Sequence, residues 1–562
     1  MSQSQVYIRL IQSNCKNCHK CIQRCPVKSI RFSSGKAEII TDECLLCGQC
    51  YVACPQNAKE IRSDLEPVKA HFAAGETVYA SLAPSFAANY KGATIASMRK
   101  ALHELGFTAV EETAIGATIV KTRYEQIIEQ SAKEHGVLIS SCCPVINDFI
   151  SLHKPEALPY LADVVTPAEA HCRKIKQEHP EAVTVFIGPC IAKKRESDRS
   201  GYIDHALTFD ELTRWMNTEG VMLTPIPDAE ENSRARLFPT SDGVLRTMFK
   251  NPDWSYVTVD GMDNCRRAIK EIIKGKLKNV FVEMSACAGS CVCGPVMERM
   301  RDTPIANNAL INAYAGKKDF IVAQPAPEAL HEAHDDLKIR KVHISEETIK
   351  KTLLQMGKAT PDQELNCGFC GYETCRDKAI AICMDKAQID MCLPYLMEKA
   401  QSFSDIIIKY SPTGVIVLNE SLEIQQLNDV ACDIMNIKDR KDIYGEQLVT
   451  ILDPRPVLDV VQLNKTVRNQ PMYLTEYRRY VEESVICNKN YHIIIVFLRD
   501  VTSQEAARSH RESVSSNTIE VADEVIDNQM RVVQEIASLL GETAAQTKIA
   551  LTKLKESLQD NE

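Results

Sequence analysis

The chain has 562 residues, a net charge of −9 and 6% aromatic residues. That length allows several domains with sizeable cores, and the acidic balance argues against nucleic acid as a partner. No charged-then-apolar signal segment opens the chain and no apolar run is long enough to span a bilayer, so a cytoplasmic protein with no membrane span is expected. In that reducing setting most of the 23 Cys should hold metal rather than pair as disulfides.

Residues 1–62 carry one pattern twice. Cys15, Cys18, Cys21 and Cys25 precede Pro26, and Cys44, Cys47, Cys50 and Cys54 precede Pro55. This C-x2-C-x2-C-x3-C-P duplication is the bacterial two-cluster ferredoxin signature, in which the fourth Cys of each run crosses to the other cluster. One [4Fe–4S] cluster would take Cys15, Cys18, Cys21 and Cys54, and the other Cys44, Cys47, Cys50 and Cys25. Pro after each last Cys fixes the turn. The segment Ile61–Thr77 reads as a linker.

The pattern then alternates: strand at VYASLAPS, helix over Thr94–Leu105, strand at FTAVEET, helix over Ile119–Glu134, strand at VLISSCCP. That order predicts α/β layers with a mostly parallel sheet. Further strands, VTVFIG and NVFVEM, lead into Cys190 and Cys287, and sites at the carboxyl ends of strands are the rule in such sheets.

Three segments stand out: SSCCP at Ser140–Pro144, IGPCIAKKRE at Ile187–Glu196, and FVEMSACAGSCVCGP at Phe281–Pro295. Thiolates at short spacing suit iron–sulfur clusters, and small residues let backbone approach a bulky cofactor. In order and separation the three resemble the signature segments of the [FeFe]-hydrogenase catalytic domain, with APS at Ala83–Ser85 and LGF at Leu105–Phe107 in support. The resemblance implies that Cys143, Cys190, Cys287 and Cys291 hold the [4Fe–4S] part of an H-cluster. Cys291 would bridge to a two-iron site carrying CO and CN⁻. It further implies that Lys193 bonds a cyanide ligand, that Glu196 is a matching site residue, and that Cys142 passes protons.

The chain also departs from that family. Gly188 and Ser285 stand where the family has two Met lining the two-iron site, so a more open and more polar pocket is expected. Thr166 keeps a hydroxyl where the family has Ser. The helix after Gly116 and Ala117 has Thr118, Arg123 and Tyr124 where outer proton-path acids belong, with Glu125 out of register. These changes resemble the sensory branch of the family and imply slow turnover. Cys172, Cys265 and Cys293 read as buried small hydrophobes.

Cys367, Cys370, Cys375 and Cys392 form a C-x2-C-x4-C-x16-C pattern. It resembles the small four-Cys [4Fe–4S] domain of redox complexes and corrinoid proteins, with structural zinc as the alternative. Cys383 is read as a spare core thiol. Beyond Lys399, GVIVLNESLEIQQLN reads as two strands, Asp429–Met435 as a short helix and YHIIIVFLRDVT as a closing strand, together resembling a PAS sensor domain. His492 is taken as an ordinary strand residue, and Cys432 and Cys487 as packing residues. From Ser503 onward Ile519, Ile526, Val533, Leu540 and Leu554 recur at heptad spacing, interrupted by Thr547, which predicts a coiled-coil helix.

The expected architecture is therefore multidomain α/β. It comprises a two-cluster ferredoxin-like module over 1–62, an H-cluster domain over 76–354, and a four-Cys [4Fe–4S] domain over 355–399. A PAS α+β domain follows over 402–502, then a signalling or dimerisation helix over 503–562. The expected function is that of a sensory [FeFe]-hydrogenase, slowly catalysing H2 ⇌ 2H⁺ + 2e⁻. It would exchange electrons with a ferredoxin-type partner, form a homodimer through the helix and signal to a separate kinase or phosphatase. The alternatives are a bioenergetic ferredoxin-linked hydrogenase and a non-enzymatic iron–sulfur protein without the two-iron site.

Overall fold

The protein is described by a computed structural model covering residues 5–33, 35–131, 136–228, 233–297, 303–339, 343–463, 467–488 and 490–559. It divides into two compact units, Met1–Leu396 and Met397–Glu562.

In the first unit the duplicated sequence becomes duplicated structure. Short helices Lys20–Arg24 and Gln49–Val52 lie inside the two Cys runs, each preceded by a left-handed residue, His19 or Gly48. Strands Ile8–Leu10 and Lys59–Ile61 pair antiparallel and tie the ends of this segment together. The expected linker is not one. It contains a helix, Leu65–Ala73, because Val68 is fully buried and Leu65 and Phe72 pack on the same core.

The alternating region folds as expected in type but forms two sheets. One has four parallel strands in the order Ala109–Glu112, Val78–Leu82, Val183–Gly188 and His205–Thr208. The other has three parallel strands, Ser255–Asp260, Val280–Ser285 and Val137–Ile139. The segments after strands of both sheets then share one site. The first predicted helix runs over Ile95–Glu104, and Thr94 caps it by accepting from the Ser97 N–H. The second starts earlier than expected, at Ala114, and runs to Ser131; residues 132–134 of that expectation lie outside the described residues. It lies hard against the helix Pro167–Glu178, since a Cβ on Gly116 would fall 2.0 Å from the Pro167 carbonyl oxygen.

The helix Glu346–Gln355 was assigned by sequence to the H-cluster domain. Its Ile349 and Leu353 pack instead with Met356 and Ala379 beside the helix Cys375–Cys383. It packs with the four-Cys module, because its apolar side meets Ala379 and Ile382 there.

The second unit holds a five-stranded antiparallel sheet in the order Ile424–Leu427, Gly414–Leu418, Ile493–Asp500, Arg479–Asn488 and Val467–Leu474. Three of these strands were legible in the sequence. Val467–Leu474 was missed because it is a mostly exposed edge strand with Pro471 inside it. Arg479–Asn488 was missed because Glu483 interrupts its apolar alternation while being wholly buried. His492 is not in the closing strand; it precedes it at φ 55°, exposed, with Nδ1 2.6 Å from Glu420. A single helix, Thr502–Gln559, ends the unit. Among the described residues no helix is long and apolar enough to cross a membrane.

Candidate iron–sulfur and catalytic site

A cavity of about 130 Å³ is lined by Cys143, Cys190, Cys287 and Cys291 together with Cys142, Lys193 and Ser285. Each Cys is placed by a strand end or a helix start. Cys143 caps the helix Pro144–His153, whose first residue is Pro. Cys190 follows the strand Val183–Gly188, and Cys287 follows Val280–Ser285. The loop carrying Cys291 closes tightly over the Cys190 segment: a Cβ on Gly294 would lie 2.7 Å from the Pro189 carbonyl oxygen. Gly289, at φ +85°, supplies the turn between Cys287 and Cys291.

Burial first, and the neighbouring thiols next, push Cys287 well above the ordinary thiol range; Cys291, Cys190, Cys143 and Cys47 all face it. Without a cation these thiols would stay protonated. Iron reverses that balance, since metal binding deprotonates coordinating thiols. Four soft donors around one cavity fit the [4Fe–4S] part of an H-cluster. Among the described residues no three His, Cys, Asp or Glu converge as for a single metal ion.

Lys193 is buried, not a surface lysine. Its Nζ donates to Thr166 Oγ1 at 2.8 Å and to Glu196 Oε1 at 2.7 Å, and sits over the Phe186 ring. Burial works against its charge, but Glu196 outweighs burial and holds its pKa above the ordinary value. Thr166 and Glu196 thus orient Lys193 from behind and do not line the cavity themselves.

The expectation for Gly188 needs correction. A Cβ there would lie 2.6 Å from Phe186 Cζ. Phe186 therefore fills the space of the missing side chain and lines the cavity in place of Gly188. Ser285 does line the cavity and adds a hydroxyl to walls that are otherwise chiefly apolar.

Cys142 is enclosed, and burial raises its thiol to about 12. Its partner is Tyr124, whose hydroxyl lies 3.3 Å from the Cys142 sulfur and 2.9 Å from Ser141 Oγ. Tyr124, which stands in the sequence where an outer proton-path acid belongs, lies directly behind Cys142. A hydroxyl can accept one proton while giving another without ionising. Arg123 and Glu125 lie elsewhere: Arg123 donates to Gln126, and Glu125 accepts from the Phe249 N–H. The group that sequence reasoning missed is Glu283. It is 4% exposed, lines the cavity and helps raise the Cys142 thiol, and burial raises its own pKa to about 8. Its signal was an acidic residue inside an otherwise apolar strand run, FVEM.

In the duplicated module one small cavity is lined by Cys25, Cys44, Cys47 and Cys50. The fourth Cys of the first run thus sits with the first three of the second. Cys15, Cys18 and Cys21 group separately, with Cys18 exposed; Cys54 accepts from the Ala58 N–H. Lys59 faces both Cys21 and Cys50, is 5% exposed, and its ammonium has no hydrogen-bond partner. An unpaired buried ammonium is costly. Anionic clusters on either side would supply the missing counter-charge, so the residues present fit two clusters.

In the third module Cys370 faces Cys392 and Cys367, and Lys378 faces Cys392, Cys370 and Cys375. Lys378 is 1% exposed, with its Nζ donating to the Ile389 carbonyl. Tyr372 stands between Cys370 and Cys25, and Gln23 donates to the Phe369 carbonyl at 2.8 Å. Three of the four thiol groups therefore form a series: Tyr372 links Cys370 to Cys25, and Cys47, in the same group as Cys25, faces Cys287. Cys172 and Cys265 are fully buried, as expected, whereas Cys293 is only half-buried at the edge of the main core and Cys383 is half-buried against Thr352. Cys432 and Cys487 belong to the core of the second unit.

Residues 76–295 match the family described as iron only hydrogenase large subunit, C-terminal domain. Residues 7–65 match a 4Fe-4S dicluster domain, and residues 363–394 an Fe-S cluster segment. This is a hydrogenase-like iron–sulfur protein related to the [FeFe]-hydrogenases. The periplasmic [Fe] hydrogenase large subunit of Nitratidesulfovibrio vulgaris is 25% identical over 399 residues, covering 58% of this chain and 94% of that relative. Iron hydrogenase 1 of Clostridium pasteurianum is 23% identical over 251 residues, covering 34% of this chain and 44% of that relative. A structure of a variant of [FeFe]-hydrogenase HydA1 from Chlamydomonas reinhardtii superposes with a TM-score of 0.42 at 16% identity, over 50% of this chain and 100% of that one. In the hydrogenase-like domain of the present chain, the Cys at the family's signature positions are those that line the cavity.

Proposed function

We propose that the protein is a sensory hydrogenase that binds and slowly oxidises H2 at this cavity and passes its redox state to a separate output protein. The observation that carries this reading is the meeting of Cys143, Cys190, Cys287 and Cys291 with Cys142 and Lys193 around one cavity. When bound, an H-cluster would supply the metal site at which H2 is split. The four Cys would hold it, with Cys291 as the bridge. Lys193, kept charged by Glu196, would offer an N–H donor to an anionic ligand on the cavity wall. Phe186 and the apolar walls exclude water, which strengthens such charge-assisted bonds. Cys142 would take the proton, backed by the Tyr124 hydroxyl and near Glu283.

The thiol series from Cys287 through Cys47 and Cys25 to Cys370 offers electrons a route away from the cavity. The exposed Cys18 marks the face where a ferredoxin-type partner would dock. The second unit supports a PAS reading, with its antiparallel sheet and short packed helices, followed by a helix suited to self-association and signalling.

Infrared spectroscopy after cofactor maturation tests the reading. Intrinsic CO and CN⁻ bands are expected in the wild type. In Cys291→Ser they should vanish while the electron paramagnetic signals of the dicluster module persist. A matured wild type with no such bands would leave an iron–sulfur protein without hydrogenase chemistry.

A further inference from the structure

Four polar side chains starting at the cavity wall form one unbroken hydrogen-bonded line. Thr113 lines the cavity. Its Oγ1 lies 2.8 Å from Ser81 Oγ, which lies 2.8 Å from His171 Nδ1. His171 Nε2 lies 3.1 Å from a Glu111 carboxylate oxygen. Ser81 and His171 are 0% exposed, while the Glu111 side chain is 25% exposed. The line therefore runs from the cavity wall, through the four-stranded sheet, to solvent. A serine, an imidazole and a carboxylate in sequence could suggest nucleophilic catalysis. Full burial of Ser81 rules that use out, because no substrate can reach it.

We propose that Thr113, Ser81, His171 and Glu111 form a proton exit from the cavity, separate from Cys142. The proposal rests on the H2-oxidation reading, which releases protons in that cavity. The resting polarity of the line follows from its outer end. Glu111 is held ionised, first by its bond to His171, with Lys174 and Arg99 also facing it. An ionised carboxylate can only accept, so His171 carries its proton on Nε2. Its Nδ1 then accepts from the Ser81 hydroxyl, and Ser81 accepts from Thr113. The lone pairs left on Thr113 are free to accept from the cavity side.

A proton arriving on Thr113 displaces the Thr113 hydroxyl proton to Ser81. The Ser81 proton moves to His171 Nδ1, and the Nε2 proton moves to Glu111, which gives it to water. One proton enters, one leaves, and no bond order changes elsewhere. Resetting requires both hydroxyls and the buried imidazole to rotate, which suits slow turnover. Among the described residues the line from Cys142 ends at Ser141 Oγ, next after Tyr124, which donates to the Val164 carbonyl.

The test uses the full chain. Histidine labelled with ¹⁵N, assigned with His171→Gln, reports the tautomer without any turnover. An imidazole with its proton on Nε2 and Nδ1 accepting from Ser81 is expected; a resting form with its proton on Nδ1 overturns the proposal. In the matured protein, Thr113→Val should lower H2 oxidation by about tenfold or more and change the solvent isotope effect. Thr113→Ser, which keeps the hydroxyl, should restore the rate to within about threefold, with CO and CN⁻ bands unchanged in both. Unimpaired turnover in Thr113→Val sinks the proton exit alone. A wild type that lacks the CO and CN⁻ bands sinks the hydrogenase reading, and the exit with it.

Discussion

Gly48 and Pro295 meet with no space between them: a Cβ on Gly48 would lie 2.4 Å from the Pro295 Cβ. This contact joins the dicluster segment to the cavity loop, and it lies beside Cys47, which faces Cys287. Gly48 also sits at φ +72°, so a side chain is opposed by backbone strain as well as by crowding.

Gly48→Val should therefore destabilise the first unit by ~1–3 kcal/mol, the usual range for overpacking. Calorimetry should show a lower unfolding temperature. Electron paramagnetic resonance should show weaker magnetic coupling between the Cys47-side cluster and the cavity cluster. Unchanged coupling would mean that this contact does not set the distance between them.

Lys59 is the buried cation between the two cysteine groups of the dicluster module. A positive charge there favours the reduced, more negative clusters. Lys59→Met keeps the volume and removes the charge. Both midpoint potentials should fall, by ~50–100 mV on a scale where 59 mV is tenfold for one electron. A redox titration followed by electron paramagnetic resonance measures this, and a shift in only one cluster would place the lysine with that cluster alone.

Glu283 gives a pH prediction in stability and in rate. Its folded pKa is raised to about 8 by burial, against an unfolded value near ~4.3. The folded state therefore holds the extra proton between those values. This contribution to stability is full below the unfolded pKa and is lost as pH rises through about 8. Glu283→Gln should flatten that decline in pH-dependent denaturant titrations. The same variant should slow H2 oxidation by ~10²-fold if the carboxyl serves Cys142. A flat pH profile in the wild type would show that Glu283 ionises normally.

The helix Thr502–Gln559 leaves Ile519, Ile526, Val533, Leu540 and Leu554 between 56% and 65% exposed. Burying one leucine is worth ~1.5–3 kcal/mol, and 1.4 kcal/mol is about tenfold in affinity. If the heptad row closes a homodimer, Leu540→Glu should weaken it by at least about tenfold. Sedimentation velocity of the full chain would register the change. A wild type that stays monomeric at micromolar concentration would assign this face to another protein.

The sequence by itself determined the cluster modules and the identity of the cavity cysteines. Metal ligation demands particular residue types at short spacing, and that demand is local: the C-x2-C-x2-C-x3-C-P runs and the three signature segments are legible without a fold. The heptad row was legible for the same reason, since one helix periodicity carries it. What only the tertiary structure decided are relationships between residues far apart in the chain. Phe186 takes the space at Gly188 because a ring two residues away folds back into it. Tyr124 reaches Cys142 because two segments pack together, which no helix register would disclose. The helix Leu65–Ala73 and the placement of Glu346–Gln355 depend on which core was there to receive an apolar face. The line from Thr113 to Glu111 draws on Ser81, Glu111, Thr113 and His171. Each of these is an unremarked polar residue alone, and it acquires a partner only when strands and helices close around it, where a buried polar group must find one.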